Sequence, residues 1–314
     1  MTLVHDATSS ATLIAAHETP PRSPWREAVH RLTHRPTTVV CLIVVATYCF
    51  WGVLSFTSVL DTKISEPVGD SYQTPTTKTL DLWLGADIQG RSVLWRLVYG
   101  TRVALTITVL ASVMSLGIGV TLGVLAGYFG GWVDDVITWL FTTVNAVPWI
   151  LLVLAFVYAL KGVTIRGHEL SALTKVVLAL GLTDWVGICR LIRGEVLKHR
   201  NRDYVQAARA AGLGTPRIVF RHILPNVFHL VIIYFSLQAV SYVQAEVVLA
   251  FLGVGITDMP SWGRMIDDSK MELLKGVWWQ LIAATTAIGI LCLALNILGD
   301  ALRDALDPRL RGVD

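Results

Sequence analysis

The chain has 314 residues, of which 54% are hydrophobic and only 16% are charged. Its mean hydropathy is +0.58, and soluble domains carry about 25% charged residues, so the composition excludes an ordinary soluble protein. The net charge of +3 gives no indication of a nucleic-acid partner. The 4 cysteines match no zinc or disulfide spacing, and we interpret them as small apolar side chains.

The N-terminal part contains a polar tail and the first span. Residues 1–38 are polar and rich in proline and arginine, and are predicted to form a cytoplasmic tail. An uncharged run from Val39 to Leu60 follows, which is long enough to cross about 30 Å of hydrocarbon. A secretory signal would lie nearer the start and would end at a small-residue cleavage site. The sequence therefore predicts a retained first span at 39–60.

A polar loop separates the first span from two further spans. Residues 61–97 carry mixed charges and are predicted to form a periplasmic loop, followed by spans at 102–129 and 136–160. The third span contains Asn145 and Pro148. Proline in a helix frees a carbonyl and kinks the chain, and we expect Asn145 to satisfy that carbonyl.

Small residues recur at every fourth position of the second span: Ala111, Ser115, Gly119, Gly123 and Gly127. A spacing of four places them on one face of a helix, where small side chains allow a neighbouring helix to approach closely. General glycine usage in membrane helices is the alternative. The register of all five positions favours a packing face, in which Gly119, Gly123 and Gly127 are the closest contacts.

The last three spans are predicted at 172–190, 226–245 and 277–299, with two carboxylates in apolar surroundings. An acid within a span indicates a functional site by default, so Asp184 and Glu246 are candidates for the translocation path. Asp184 also lies only about 9 Å of helix from Arg190, which would let it snorkel to an interface. Glu246 alternatively caps or pins an apolar piece at 246–256, which we predict to be a re-entrant or interfacial helix.

The distribution of arginine predicts the orientation in the membrane. Six spans place both termini on one side, and residues 190–222 contain eight Lys and Arg against two acids. The positive-inside rule then places both termini, the loop 191–225 and the tail 301–314 in the cytoplasm.

Within that loop, residues 203–226 resemble a docking element rather than a span. An alanine-rich helical pattern ends at Gly212 and Gly214, and Thr215-Pro216 restarts a helix with a hydroxyl predicted at the cap. Two short helices are therefore expected to meet at a glycine turn. We expect Gly212 to adopt the left-handed conformation that commonly ends a helix.

These residues carry a resemblance to a known family. Gln206-Ala207-Ala208, the following Gly212 and Ile223-Leu224-Pro225 resemble the EAA loop of ABC-importer permeases, in which a Glu usually opens the triplet. Here Gln206 replaces that Glu, which removes the basis for a salt bridge at this position. Residues 249–266 and 295–311 are similar to the C-type permease of dipeptide and oligopeptide importers, and 85–105 also resembles that family. The likeness runs from about residue 80 to the C-terminus.

The resemblance implies an all-α integral membrane protein with six transmembrane helices, the type I ABC-importer permease fold and cytoplasmic coupling helices. It implies a bacterial inner-membrane complex with a second homologous permease, two ATP-binding subunits and an extracytoplasmic solute-binding protein. ATP and Mg would be bound by the ATPases, and this chain would bind no cofactor or metal and would contact lipid. The ATPase-coupling residues implied are Tyr204, Gln206, Ala207, Ala208, Arg209, Gly212, Ile223, Leu224 and Pro225.

The chain shows no sequence motif for chemistry of its own. It lacks a P-loop, a zinc-protease motif and a nucleophile elbow, so we expect a non-catalytic subunit for dipeptide or oligopeptide import. A permease for nickel or another small or peptide-like solute is the first alternative. An ion-driven secondary transporter is less favoured, because such proteins usually show internal repeats and several intramembrane ionisable groups.

Overall fold

The computed structural model describes residues 33–165 and 167–306. The predicted all-α fold is confirmed, since the one sheet in this part of the chain is a hairpin in which β1 (Thr164–Ile165) pairs with β2 (His168–Glu169). Most of the two predicted tails lies outside the described residues.

Twelve α-helices occur in the described part of the chain. They are α1 (Pro36–Leu54), α2 (Ser58–Ser65), α3 (Val93–Phe129), α4 (Gly131–Asn145), α5 (Trp149–Ala159), α6 (Ala172–Thr183), α7 (Trp185–His199), α8 (Asp203–Ala210), α9 (Thr215–Ile218), α10 (Leu224–Phe251), α11 (Trp262–Leu273) and α12 (Trp279–Leu306). A 3-10 turn at Leu80–Leu82 precedes α3, and a π-helical turn at Val219–Ile223 joins α9 to α10.

Six segments account for the predicted spans. Five are long and apolar enough to cross a membrane: α1, α3, α6 with α7, α9 with α10, and α12. The sixth is α4 with α5, which pass the same test together although the chain bends by 91° between them. Short helices outside the spans, α2 and α11, belong to the same end of the bundle as the loop that precedes α3.

Several helices extend beyond the apolar runs that predicted them. Helix α3 has 37 residues, about 55 Å at 1.5 Å each, and begins at Val93 rather than near 102. Its early start is possible because Arg96 is buried and bonded to Asp87 at 2.5 Å, so the charge does not end the helix. Helix α7 likewise continues past Arg190 to His199.

Of two local predictions at helix breaks, one is wrong and the other is wrong only in the role it gave to Asn145. Residues 246–251 continue α10, which ends before Gly253 with φ 77°, so no separate re-entrant helix forms at 246–256. The predicted interruption of the third span at Asn145 and Pro148 is present: α4 ends at Asn145, Pro148 precedes α5, and the chain bends by 91° between the two helices. The Val144 carbonyl, four residues before Pro148, accepts the Val147 N–H at 3.3 Å, so Asn145 is not needed to satisfy it.

Charged residues form a buried layer at the α11 end of the bundle. Asp87 accepts bonds from Arg91 and Arg96, and Arg96 also lies 3.6 Å from Asp268 of α11. Glu272 of α11 is only 3% exposed, and its Oε2 has no hydrogen-bond partner among the described residues. Burial, together with repulsion from the neighbouring Asp268 and Asp87 carboxylates, raises the pKa of the Glu272 carboxyl to about 7.

Candidate functional site

Residues 203–225 form a compact projection, which we call the knob. Helix α8 ends at Ala210, and Gly212 then adopts φ 77°, the left-handed conformation expected for it. The chain turns there and enters α9 at Thr215. Gly214 rather than Thr215 occupies the N-cap position, and no side chain caps the helix, so the predicted hydroxyl cap is wrong.

One face of the knob is packed against α7. Val205, Ala208, Ile218 and Ile223 are buried in one cluster with the α7 residues Ile188, Ile192 and Val196, and Leu224 packs beside them. Burial of apolar surface of this size stabilises the attachment by several kcal/mol. The knob is therefore held firmly on the end of the bundle.

The opposite face of the knob is exposed and consists largely of small side chains. Its members are Gln206, Ala207, Arg209, Ala210, Ala211, Gly212 and Pro225. The Gln206 amide folds back to the Asn201 carbonyl at 3.1 Å, which leaves the small residues uncovered. Phe220, in the π-helical turn of the knob, is 70% exposed, and sequence reasoning missed it although an aromatic in a polar loop was a visible signal. An exposed aromatic side chain is typical of a docking surface.

Polar contacts tie the knob to the neighbouring helix ends. The Tyr204 hydroxyl lies 2.7 Å from His199 Nδ1, and the Arg209 guanidinium lies 5.3 Å from the centre of the Tyr128 ring. Deeper in the bundle, Arg193 of α7 donates to Asp134 of α4 at 2.7 Å. The knob thus contacts the ends of α3 and α7 directly, and α7 is bonded in turn to α4.

The small-residue stripe of α3 faces α7 at very short range. A Cβ added at Gly119 would lie 2.6 Å from the Trp185 carbonyl oxygen. At Gly123 it would lie 2.7 Å from the Cys189 oxygen, and at Gly127 it would lie 2.8 Å from the Arg193 oxygen. Side chains essentially never approach backbone oxygens so closely, so these glycines allow α7 to contact the α3 backbone directly. Ala111 and Ser115 are buried on the same face.

Glu246 is enclosed and satisfied by hydrogen bonds. Its side chain accepts a bond from the Ser261 hydroxyl at 2.6 Å and one from the Gly263 N–H at 3.0 Å. It therefore pins the N-terminus of α11, rather than the apolar piece at 246–256 that the sequence predicted. Glu246 is 4% exposed and lines none of the cavities described for this chain.

Asp184 has a different environment, at the break between α6 and α7. The candidate span that contains both helices runs from 172 to 199, so Asp184 lies about midway along it. Its Oδ2 accepts a bond from the Gln238 amide at 2.9 Å, and the same amide donates to Ser115 at 2.8 Å. Sequence reasoning found Asp184 but missed Gln238, whose contact joins positions 54 residues apart.

The fold therefore brings the predicted coupling residues together but keeps the two path candidates apart. Gln238, which holds Asp184, and Glu246 are eight residues apart on α10, about 12 Å along the helix. Asp184 faces a cavity and Glu246 does not. The roles of the knob residues and of the two carboxylates in transport stay predictions.

Comparison with known proteins identifies the class. Residues 119–312 match the family described as binding-protein-dependent transport system inner membrane component. The chain is 33% identical to the dipeptide transport system permease protein DppC of Alkalihalophilus pseudofirmus, over 92% of this chain and 91% of that protein. It is 32% identical to the glutathione transport system permease protein GsiD of Pectobacterium atrosepticum, over 96% of each. The oligopeptide transport system permease protein OppC of Bacillus subtilis is 30% identical over 91% of this chain and 90% of its own length.

The fold agrees with this match. An inward-facing structure of the MetNI methionine ABC transporter contains a chain that superposes with a TM-score of 0.55, over 68% of this chain and 98% of that one, at 17% identity. The chain belongs to the family of binding-protein-dependent transport system inner membrane components, and the predicted ABC-importer permease fold is confirmed. It is a multi-pass membrane transport component.

Proposed function

We propose that this chain is the non-catalytic permease subunit of an ATP-driven importer of dipeptides and oligopeptides. It would form the translocation path with a second, homologous permease and receive solute from an extracytoplasmic binding protein. Two separate ATPase subunits would bind ATP and Mg, and no cofactor would bind to this chain. The names of the relatives support the peptide class, because dipeptide, oligopeptide and glutathione permeases align along nearly the whole chain.

The observation that carries the proposal is the knob. It combines a buried face fixed to α7 with an exposed face of small residues around Gly212. Small side chains would let the backbone of the knob pack closely into a groove of a partner subunit. Arg209 contacts Tyr128 of α3, and Arg193 of α7 is bonded to Asp134 of α4, so these contacts link the knob to three membrane helices. Closure of the ATPases would thus be converted into movement of the spans.

The orientation is part of the same proposal, with both termini and the knob on the cytoplasmic side of the bacterial inner membrane. The arginines of 190–222 support it through the positive-inside rule. Single cysteines at Ser71 and at Asn201, both exposed, test it in a background without the native cysteines. An impermeant thiol reagent added to spheroplasts is expected to label the first and not the second. The reverse pattern would contradict the orientation.

The energy source and the solute are tested with the complete transporter in proteoliposomes. We expect uptake of radiolabelled tri-alanine that requires ATP and persists after an uncoupler has abolished ion gradients. Competition by unlabelled glutathione and by Ni²⁺ separates a peptide permease from one for another small solute. Uptake that stops with the uncoupler while ATP is present would indicate a secondary transporter and overturn the proposal.

A further inference from the structure

A cavity of about 240 Å³ lies where two membrane spans are interrupted. One interruption separates α4 from α5, and the other is at Asp184 between α6 and α7. Polar lining groups come from both sides: Asn145 from the first break, Asp184 from the second, and Tyr234 from α10. Discontinuous helices that present polar groups at membrane depth are typical of transport sites.

The Asp184 carboxylate in this cavity lacks a positive counter-charge. Its bonds come from the neutral Gln238 amide and the neutral Tyr242 hydroxyl, and no Lys, Arg or His among the described residues forms a salt bridge with it. A carboxylate at the middle of a span is costly unless a cation or water compensates it. The Gln238 Oε1 atom is also a buried acceptor without a partner. The region therefore has a surplus of acceptors and negative charge.

The exposed side of the break indicates that the cavity does not face lipid. Asn145 and the irregular residues 146–148 are exposed in the chain as it stands. Backbone that is not helical is tolerated at membrane depth only inside protein or along a water-filled cavity. An exposed amide side chain such as that of Asn145 is likewise tolerated there only next to protein or water. This face consequently belongs to the aqueous path or to its contact with another subunit.

We propose that this cavity binds the ammonium group of a peptide during its passage through the membrane. Asp184 supplies the counter-charge, while the Asn145 amide oxygen and the Tyr234 hydroxyl accept from the remaining N–H bonds, because an ammonium has three donors and no acceptor. The assignment rests on the proposed peptide import. Among the described residues no group of three or more metal-ligating side chains is present, which favours an ammonium over a metal ion.

Such a site is suited to passage rather than retention. One carboxylate with neutral neighbours holds a cation less tightly than a pair of carboxylates does, and a transport site must release its solute. Glu246 offers no comparable site, since its oxygens are already occupied by Ser261 and Gly263.

The charge preference of the cavity is tested without any transport step. Val147→Cys, at an exposed position that lines the cavity without binding the ammonium, is introduced into the intact transporter in membranes, in a background without the four native cysteines. The rate of labelling is compared for a trimethylammonium methanethiosulfonate and a neutral methanethiosulfonate. We expect Asp184→Asn to lower the ratio of the cationic to the neutral rate about tenfold, and Asp184→Glu to preserve it. Asp61→Asn, which removes an exposed carboxylate outside the spans, is the matched control and should leave the ratio unchanged.

The ligand is tested in the same preparation with tri-alanine and N-acetyl-tri-alanine. We expect tri-alanine to slow labelling of the Val147→Cys variant several-fold and to lose this protection in Asp184→Asn, whereas the acetylated peptide should not protect. Equal protection by both peptides, or no protection by tri-alanine, would overturn the ammonium assignment. An unchanged charge ratio in Asp184→Asn would overturn the site itself even if peptide import is normal. A transporter that imports no peptide but keeps the charge ratio would instead refute the proposed function.

Discussion

The packed bundle and the knob both depend on glycine, but for opposite physical reasons. At Gly123 the surroundings are full: an added Cβ would lie 2.7 Å from the Cys189 oxygen and 3.0 Å from the Ile192 Cβ. At Gly212 no atom lies within 4 Å of the added Cβ, and the backbone φ of 77° is what requires glycine. The first glycine provides space, and the second provides a turn.

This difference indicates how the two regions respond to change. Between α3 and α7 the fit is determined by contact, so any enlargement separates two membrane helices. In the knob a side chain would be accommodated sterically, and the cost is local backbone strain. Substitutions in the bundle should therefore lower stability, whereas substitutions in the knob should affect coupling with little loss of stability.

The largest effect is expected from Gly123→Leu. The new side chain would overlap the α7 backbone and destabilise the bundle by about 3 kcal/mol. Gly117→Leu is a matched control in the same helix, because nothing lies within 4 Å of a Cβ at that glycine. Thermal unfolding of the purified complex in detergent measures the difference. Equal unfolding temperatures for the two variants would mean that the α3–α7 contact does not hold the bundle together.

A smaller loss is expected at the other closed contact, from Glu246→Ala. Removing the carboxylate leaves the buried Ser261 hydroxyl and Gly263 N–H without their acceptor, at a cost of about 2 kcal/mol. Glu246→Gln keeps one acceptor oxygen and should recover part of the stability. Thermal unfolding checks both variants, and a wild-type unfolding temperature for the alanine variant would refute the capping role.

A pH-dependent effect is expected at Glu272. Burial raises the pKa of its carboxyl to about 7 from the ordinary 4.5, so the folded state binds the proton more tightly than the unfolded state. The stability that this proton contributes is complete below about pH 4.5 and is lost as the pH rises through 7. Glu272→Gln lacks this titration, and its unfolding temperature relative to the wild type should rise between pH 5 and pH 8. A constant difference over that range would contradict the assignment.

Long apolar runs were enough to predict the six spans, and the spacing of four was enough to predict the stripe on α3. Helix ends were not predictable in the same way, because Arg96 resembles a terminus in sequence and is neutralised by Asp87, which belongs to a preceding loop. The end of the fourth span was misplaced for a related reason. Arg190 and Arg193 resemble a helix terminus in sequence, but the helix continues to His199, and Arg193 is bonded to Asp134 of α4.

The candidate site was predictable where it is local. Gly212 and the flanking alanines determine the shape of the knob within about ten residues, and the predicted left-handed turn is present. The cavity at Asp184 was not predictable, because Asn145, Asp184 and Tyr234 come from three separate spans. Their proximity depends on how the helices pack, which no local pattern indicates.

The most direct test of the account compares Gly212→Val with Gly276→Val. Both glycines have a φ near 78° and nothing within 4 Å of an added Cβ, so both variants carry the same strain of about 1 kcal/mol or more. Arg217→Ala, an exposed charge in the knob, should be milder because a rim charge mainly affects association rate. The measurement is co-purification of the ATPase subunits with each variant, followed by ATP-driven uptake in proteoliposomes. We predict that Gly212→Val inserts normally but loses the ATPases or uncouples hydrolysis from uptake, while Gly276→Val retains both. Normal ATPase binding and uptake in Gly212→Val would contradict the role of the knob as the coupling element.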